Sequence, residues 1–219
     1  MKFATFTFDD GIITSAKKVH DILFPYKATF YVVSGWVLKT IAIVDKYNIN
    51  FDHGTIEDWK EIIKLGHEVG SHTHSHCKAD NINIQNECLE SLNFLRKIQT
   101  PPYSLSCPHH TLIKTELYDS IRTGSYLTVH KKFFKEKIFN KIENINLFEL
   151  YSVEDITIDY KEVSDNSWVI FSFHGIDDEG FCPVTTQQLE KLKNDLLLES
   201  FKIITVRDMT LNYELGLLK

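Results

Sequence analysis

Short apolar runs rich in β-branched and aromatic residues alternate with helical stretches along this chain, which restricts it to an α/β architecture. Strands are expected over Lys2–Phe8, Ala28–Ser34, His67–Ser71, Tyr103–Cys107, Ser125–Val129, Trp168–Phe173 and Lys202–Val206, with a weaker one over Leu147–Val153. Helices are expected over Ser15–Leu23, Ile56–Leu65 behind Thr55 as N-cap, Ile84–Ile98, Leu112–Ile121 and Thr186–Leu198. No repeat, low-complexity tract or Gly/Ser/Pro-rich linker divides the series. At 219 residues the chain fills one core but not two comfortable enzyme domains, so a single domain over 1–219 is expected.

Alternating strands and helices place every strand C-terminus on one rim, where α/β proteins build their sites. The conspicuous polar residues all follow strands: Asp9 and Asp10 the first, His72, His74 and His76 the third, Pro108 to His110 the fourth, and His174 the run Trp168–Phe173.

Two adjacent ionised carboxylates at a buried strand end are costly unless a cation or proton sits between their charges. A catalytic zinc-type ion takes oxygen from Asp and nitrogen from His through three protein ligands, leaving positions open for water and substrate. One of Asp9 and Asp10 with two of the nearby histidines supplies that set. Neighbours on a strand end point different ways, so one carboxylate can face the ion and the other the reacting water. His174, arriving from a distant strand, suits protonation of a leaving amine, which implies amide or ester hydrolysis. Taken alone, Asp9-Asp10-Gly11 reads as a turn and His174 as a packed core residue. Three histidines in five positions do not read as a solvated face.

The net charge of −6, the pI near 5.9 and the dispersed Lys and Arg argue against a nucleic-acid groove or an anionic membrane surface. No run approaches the roughly 18 to 20 apolar residues of a membrane span, and no cleavable leader pattern is visible, so a cytoplasmic protein without membrane insertion is expected. The four cysteines form no CxxC pair and fit reduced thiols, with Cys77 and Cys107 as secondary candidates for a thiolate ligand. A closed structural zinc site using one of them is a further reading.

Thr7-Phe8-Asp9-Asp10-Gly11, His72-Thr73-x-x-His76 and Phe173-His174 resemble the first, second and fifth motifs of the polysaccharide deacetylases, the NodB homology group or carbohydrate esterase family 4. The likeness extends to Ala28-Thr29-Phe30-Tyr31-Val32-Val33, Gly66-His67-Glu68-Val69-Gly70-Ser71 and Ile203-Ile204-Thr205-Val206. The resemblance implies a distorted (β/α)7 barrel and a divalent metal held by Asp10, His72 and His76, usually zinc, with cobalt, nickel or iron as alternatives. It implies Asp9 as the base, His174 as the acid and an N-acetylated amino sugar as substrate. His74 falls on a variable position.

Two departures stand out. The third motif, Arg-x-Pro-Tyr-Gly, is best matched in position by Ser106-Cys107-Pro108-His109-His110, which keeps only the proline; Thr100-Pro101-Pro102-Tyr103-Ser104 is a closer string ahead of the strand. Pro108 and His109 are therefore assigned to the oxyanion and substrate side, where a backbone N–H survives any side-chain change. The motif arginine is missing, and Arg122 or Arg207 is the candidate replacement. No fourth motif is legible, with Asp155 and Asp159 the nearest acids. Trp36 and Tyr31 would either stack on a sugar or pack the barrel. A cytoplasmic enzyme points to a nucleotide- or lipid-linked sugar precursor, a small oligosaccharide or a glycan awaiting export. The competing reading is a non-catalytic metal- or carbohydrate-binding relic of the fold, which has no reason to keep Asp9 or His174.

Overall fold

Strand β1 (Lys2–Phe8) is the centre of the molecule, and every residue after Lys2 in it is buried. In this computed structural model, which describes residues 1–123, 140–153 and 163–218, β1 runs parallel to β7 (Ser167–Phe173) along its whole length, from Lys2↔Ser167 to Phe8↔Phe173. Its other edge is shared: Thr7 and Phe8 pair with β2 (Thr29–Val32), while Lys2 to Ala4 pair with β8 (Phe201–Ile203). The sheet continues through β3 (Glu68–Ser71), β4 (Ser104–Ser106) and β5 (Ser120–Arg122), all parallel. The far side is bridged by residues 147–153: Leu150 exchanges backbone hydrogen bonds with Ile121 and Thr123, and Val153 with Ile170 and Ser172. The curled, parallel-rich sheet is thus the distorted (β/α)7 barrel that the motifs imply. A short β6 (Asn140–Lys141) runs antiparallel to β7.

Period-two alternation assigns the two faces of each strand. Phe6, Phe8, Phe30, Val32, Val69, Leu105, Ile121, Phe171 and Phe173 pack in the main core with the buried faces of α1 (Ile13–Leu23), α3 (Ile56–Lys64), α4 (Ile84–Leu95) and α5 (Thr186–Leu198). Each such buried aromatic or aliphatic side chain contributes about 1.5–3 kcal/mol. The alternate positions mix a second apolar cluster, with Phe3, Trp168 and Ile170, and hydrogen-bonded polar residues: Trp168 Nε1 donates to Thr5 (2.9 Å), Thr7 Oγ1 to the Phe171 carbonyl (2.8 Å) and Thr29 Oγ1 to Glu68 (2.7 Å). Tyr31 fits there because Gly70 faces it; a Cβ at Gly70 would lie 2.5 Å from its ring.

Helix starts follow the local chemistry. Thr55 with Asp58, and Thr185 with Gln188, close reciprocal capping boxes at α3 and α5. Thr205 caps α6 (Val206–Glu214), so the expected strand Lys202–Val206 ends at Ile203. Helix α6 packs Val206 and Met209 against Phe3, Trp168 and Leu150, plugging the end of the barrel opposite the strand C-termini. Its first turn also donates a backbone N–H from Arg207 to the buried Glu68 carboxylate (2.8 Å), whose pKa burial raises. The four-residue α2 (Ser34–Val37) follows β2 directly.

The helix expected over Leu112–Ile121 is not formed. Its C-terminal part is strand β5, because Asp119 is tied to Tyr103 on the β4 side through both backbone and side chain, and the Tyr118 hydroxyl is drawn inward to Ser71 (2.9 Å) and the Cys88 carbonyl (2.8 Å). A ten-residue helix has too little intrinsic stability to resist such contacts. The Leu147–Val153 strand reduces to single bridges at Leu150 and Val153. The strand Ser125–Val129 and the acids Asp155 and Asp159 lie outside the described residues. No helix among the described residues is long and apolar enough to cross a membrane.

A histidine pair below β3 makes stability pH-dependent. The Ala28 N–H donates to His67 Nδ1 (3.0 Å), which leaves the proton on Nε2, facing His20 Nδ1 at 3.0 Å. Burial, then Lys27 and His20, hold the His67 pKa at about 4. The unfolded chain therefore binds the extra proton between pH 6.5 and 4, and stability falls as pH is lowered through that window. His67→Asn keeps an acceptor for Ala28 without titrating. Its urea midpoint is expected to fall less between pH 6.5 and 4 than that of the wild type, and parallel curves would refute the assignment.

Candidate metal centre and active site

At the end of β1 the chain makes two consecutive left-handed residues, Asp10 (φ 71°) and Gly11 (φ 73°). A Cβ at Gly11 would lie 2.9 Å from the Val32 side chain, so only glycine fits. The turn separates the two carboxylates. The His53 ring holds it from outside, with Nδ1 3.1 Å from both the Asp10 and Gly11 carbonyl oxygens.

Asp10 is 3% exposed, and its Oδ1 is a buried atom without a hydrogen-bond partner. It faces His72 Nε2 at 3.6 Å and His76 Nε2 at 3.4 Å, and the three candidate ligand atoms lie within 4.8 Å of one another. The edge of a tetrahedron with bonds of about 2.1 Å is about 3.4 Å, so the two distances from Asp10 Oδ1 suit ligands of a shared ion. His72 Nδ1 donates to the Ser106 carbonyl (2.9 Å), which leaves its Nε2 lone pair toward Asp10. Burial lowers the pKa of both rings, that of His76 to about 4, so both are neutral at physiological pH, as ligation requires. Despite burial, the surrounding imidazoles and the Asn48 amide keep Asp10 below the usual carboxylate range. One carboxylate and two neutral imidazoles form a borderline-hard donor set that fits zinc and its neighbours in the first transition row.

Asp9 points into the barrel. Arg122 Nη2 donates to both its carboxylate oxygens, and Ser106 Oγ donates to Oδ2 at 3.3 Å. Burial alone would raise the Asp9 pKa, but Arg122, then His72 and His174, bring it to about 2. The guanidinium is 1% exposed, also donates to Ser152 (2.7 Å) and Ser172 (3.0 Å), and lies 5.1 Å over the Tyr31 ring. The absent motif arginine is thereby accounted for. The place it would occupy is Ser106, and the register partner of Ser106 on β5 is Arg122, so the cation comes from the adjacent strand at the same height. Arg207 is turned the other way, toward Thr100 and Pro101.

Asp9, Asp10, His72, His76, His109 and His174 line one cavity of about 410 Å³, shared with Cys107, His110, Tyr47 and Phe181. Pro108 is buried outside the lining and starts the turn that holds His109 (φ 55°), whose Nε2 donates to the His76 carbonyl (3.2 Å). His174 stands edge-on to Phe181, with ring centroids 5.3 Å apart. A larger cleft of about 770 Å³ between Leu112–Glu116 and Asn146–Glu149 holds none of these groups. Tyr31 is buried in the barrel and Trp36 between His53 and His76, so both pack rather than offer a sugar platform. Burial raises the Cys77 and Cys107 pKa to about 11, and neither thiol joins the ligand cluster. His74 is engaged with Ser34 and Glu90, away from Asp10. Asp45, Asn48 and His53 carried no signal in the sequence, since they sit in a loop without periodicity or motif.

A family model described as polysaccharide deacetylase matches residues 1–119. The chain is 29% identical over 134 residues to the peptidoglycan-N-acetylglucosamine deacetylase of Bacillus cereus, a match covering 58% of this chain and 55% of that protein, so the chain spans about half the length of the curated relative. Among solved structures, the Xyl-CE4 domain of a multidomain xylanase from the hindgut metagenome of Trinervitermes trinervoides superposes with a TM-score of 0.58 at 18% identity, covering 98% of this chain and 91% of that one. A CE4 family pseudoenzyme from Bacillus anthracis superposes with a TM-score of 0.55 at 13% identity, covering 95% of this chain and 65% of that one. At such identities the likeness establishes the fold, and activity has to be argued from the site.

Proposed function

The chain belongs to the polysaccharide deacetylase family, and on that premise we propose that it is a metal-dependent hydrolase removing an N-acetyl or similar small acyl group from an amino sugar in a glycan, oligosaccharide or activated precursor. The observation that carries this reading is the partnerless Asp10 Oδ1 facing two neutral imidazoles, with the separately anchored Asp9 and the rim residue His174 lining the same cavity. The name of the Bacillus cereus relative supports N-acetylglucosamine as the sugar.

Asp10, His72 and His76 would hold the ion, zinc by preference. When bound, it supplies Lewis-acid polarisation of the acyl carbonyl and acidifies water. Asp9 is ionised throughout the working pH range and accepts the proton of the attacking water, with Arg122 fixing the carboxylate in place. His174 lines the same cavity and delivers a proton to the departing nitrogen. The turn at Pro108–His110 contributes a backbone donor for the oxyanion. The relic reading is not favoured, because the cation missing from the third motif is supplied to Asp9 by Arg122 on β5.

The decisive experiment measures acetate release from N-acetylglucosamine oligomers alongside metal content. Activity should vanish with a chelator and return with zinc or cobalt, and Asp10→Ala, His72→Ala and His76→Ala should each lose stoichiometric metal. Chelator-insensitive hydrolysis, or tight metal in all three variants, would refute the proposal.

A further inference from the structure

The loop between α2 and α3 reaches two of the three ligands at once. Asn48 belongs to an otherwise largely exposed stretch, yet it is fully buried, because its Nδ2 donates to Asp10 Oδ2 at 2.9 Å. The same Nδ2 lies 3.4 Å from Asp45 Oδ2, and that oxygen lies 4.0 Å from His76 Nδ1. Asp45 is itself set by a turn in which its Oδ1 accepts from the Tyr47 N–H (2.9 Å) and its carbonyl from the Asn48 N–H (3.0 Å). One amide thus joins the carboxylate ligand to a carboxylate beside the imidazole ligand.

We propose that Asp45 and Asn48 form an outer clamp on the metal centre, an inference that rests on the metal reading above. Asn48 occupies Asp10 Oδ2, so Oδ1 alone is left to face His72 and His76, which fixes a one-oxygen mode of ligation. Asp45 stands 4.0 Å from His76 Nδ1, beyond hydrogen-bond distance, where its negative charge favours the proton on Nδ1 and the lone pair on Nε2, as the closer Ser106 carbonyl does for His72 through a hydrogen bond. Each ligand then has its own partner behind it. Neither residue belongs to the ligand set; Asn48 lies behind Asp10, outside the cavity, and Asp45 lines the cavity beside His76, so both are assigned to positioning the ligands.

The clamp is tested by zinc affinity, measured by competition with a fluorescent chelator on the full chain. Loss of an outer-shell partner weakens metal binding roughly 10–100-fold, and that is the expected result for both Asp45→Ala and Asn48→Ala. Asp45 is 27% exposed, so Asp45→Ala is expected to keep its metal-free unfolding midpoint while its cobalt-loaded form shows shifted visible bands, a signature that a purely structural role would not move. Wild-type chain that takes up no zinc would overturn the metal reading and the clamp with it. Wild-type uptake with unchanged affinity in both variants would overturn the clamp alone, and unchanged affinity in one would remove that residue from it.

Discussion

Asp9→Asn is expected to bind zinc like the wild type and to lose roughly 10²–10⁴-fold in turnover, the usual contribution of a positioned general base. The amide has nearly the shape of the carboxylate, and its oxygen can still accept from Arg122, but it cannot take a proton. Asp9 is not in the ligand cluster, so metal content should not change. Acetate release and zinc stoichiometry on the same preparation check the result. Turnover within a few-fold of the wild type would remove Asp9 from the base role, and loss of zinc would show that the two carboxylates share the ion.

Arg122→Met carries the largest expected stability effect. Removing one partner of a buried ion pair costs about 3–5 kcal/mol, because the other charge is left buried and uncompensated. The direction of the pH dependence is also fixed. In the wild type, Arg122 holds Asp9 at about 2, below its unfolded value, so the pair stabilises the fold above pH 4 and that contribution fades as pH falls through about 2. Without the guanidinium, burial pushes Asp9 above its unfolded value, and the folded variant binds more protons than the unfolded chain over the interval between. The deficit of Arg122→Met should therefore be greatest at neutral pH and narrow toward pH 4. Urea midpoints at pH 7 and 4 measure it, and equal deficits would show that Asp9 is stabilised by something other than this cation. Combining Arg122→Met with Asp9→Asn should recover part of the stability and none of the activity, since the two residues couple.

The barrel and its active rim were legible because they rest on local signals. Short apolar runs rich in β-branched and aromatic residues mark β1, β2 and β7, and strand C-termini in an alternation of strands and helices share one end, which brings Asp10, His72, His76 and His174 to a single cavity. What escaped depends on pairings between distant segments. Arg122 is one of two cations the sequence offers for Asp9, but it closes a stretch with helix-like spacing, and the choice of it over Arg207 follows only from the register of β5 on β4. Asn48 sits in a loop whose fold is decided by the site it serves. Helix α6 was hidden because Thr205 reads as the end of a strand as readily as the cap of a helix.

Ser106 and Arg122 face each other across neighbouring strands and serve the same carboxylate, so they form an exchangeable pair of addresses for one positive charge. Among related sequences, an arginine at either address should accompany a small residue at the other. A blank in the familiar position would then signal relocation, and surveys that score such chains as decayed by that one column would miscount them.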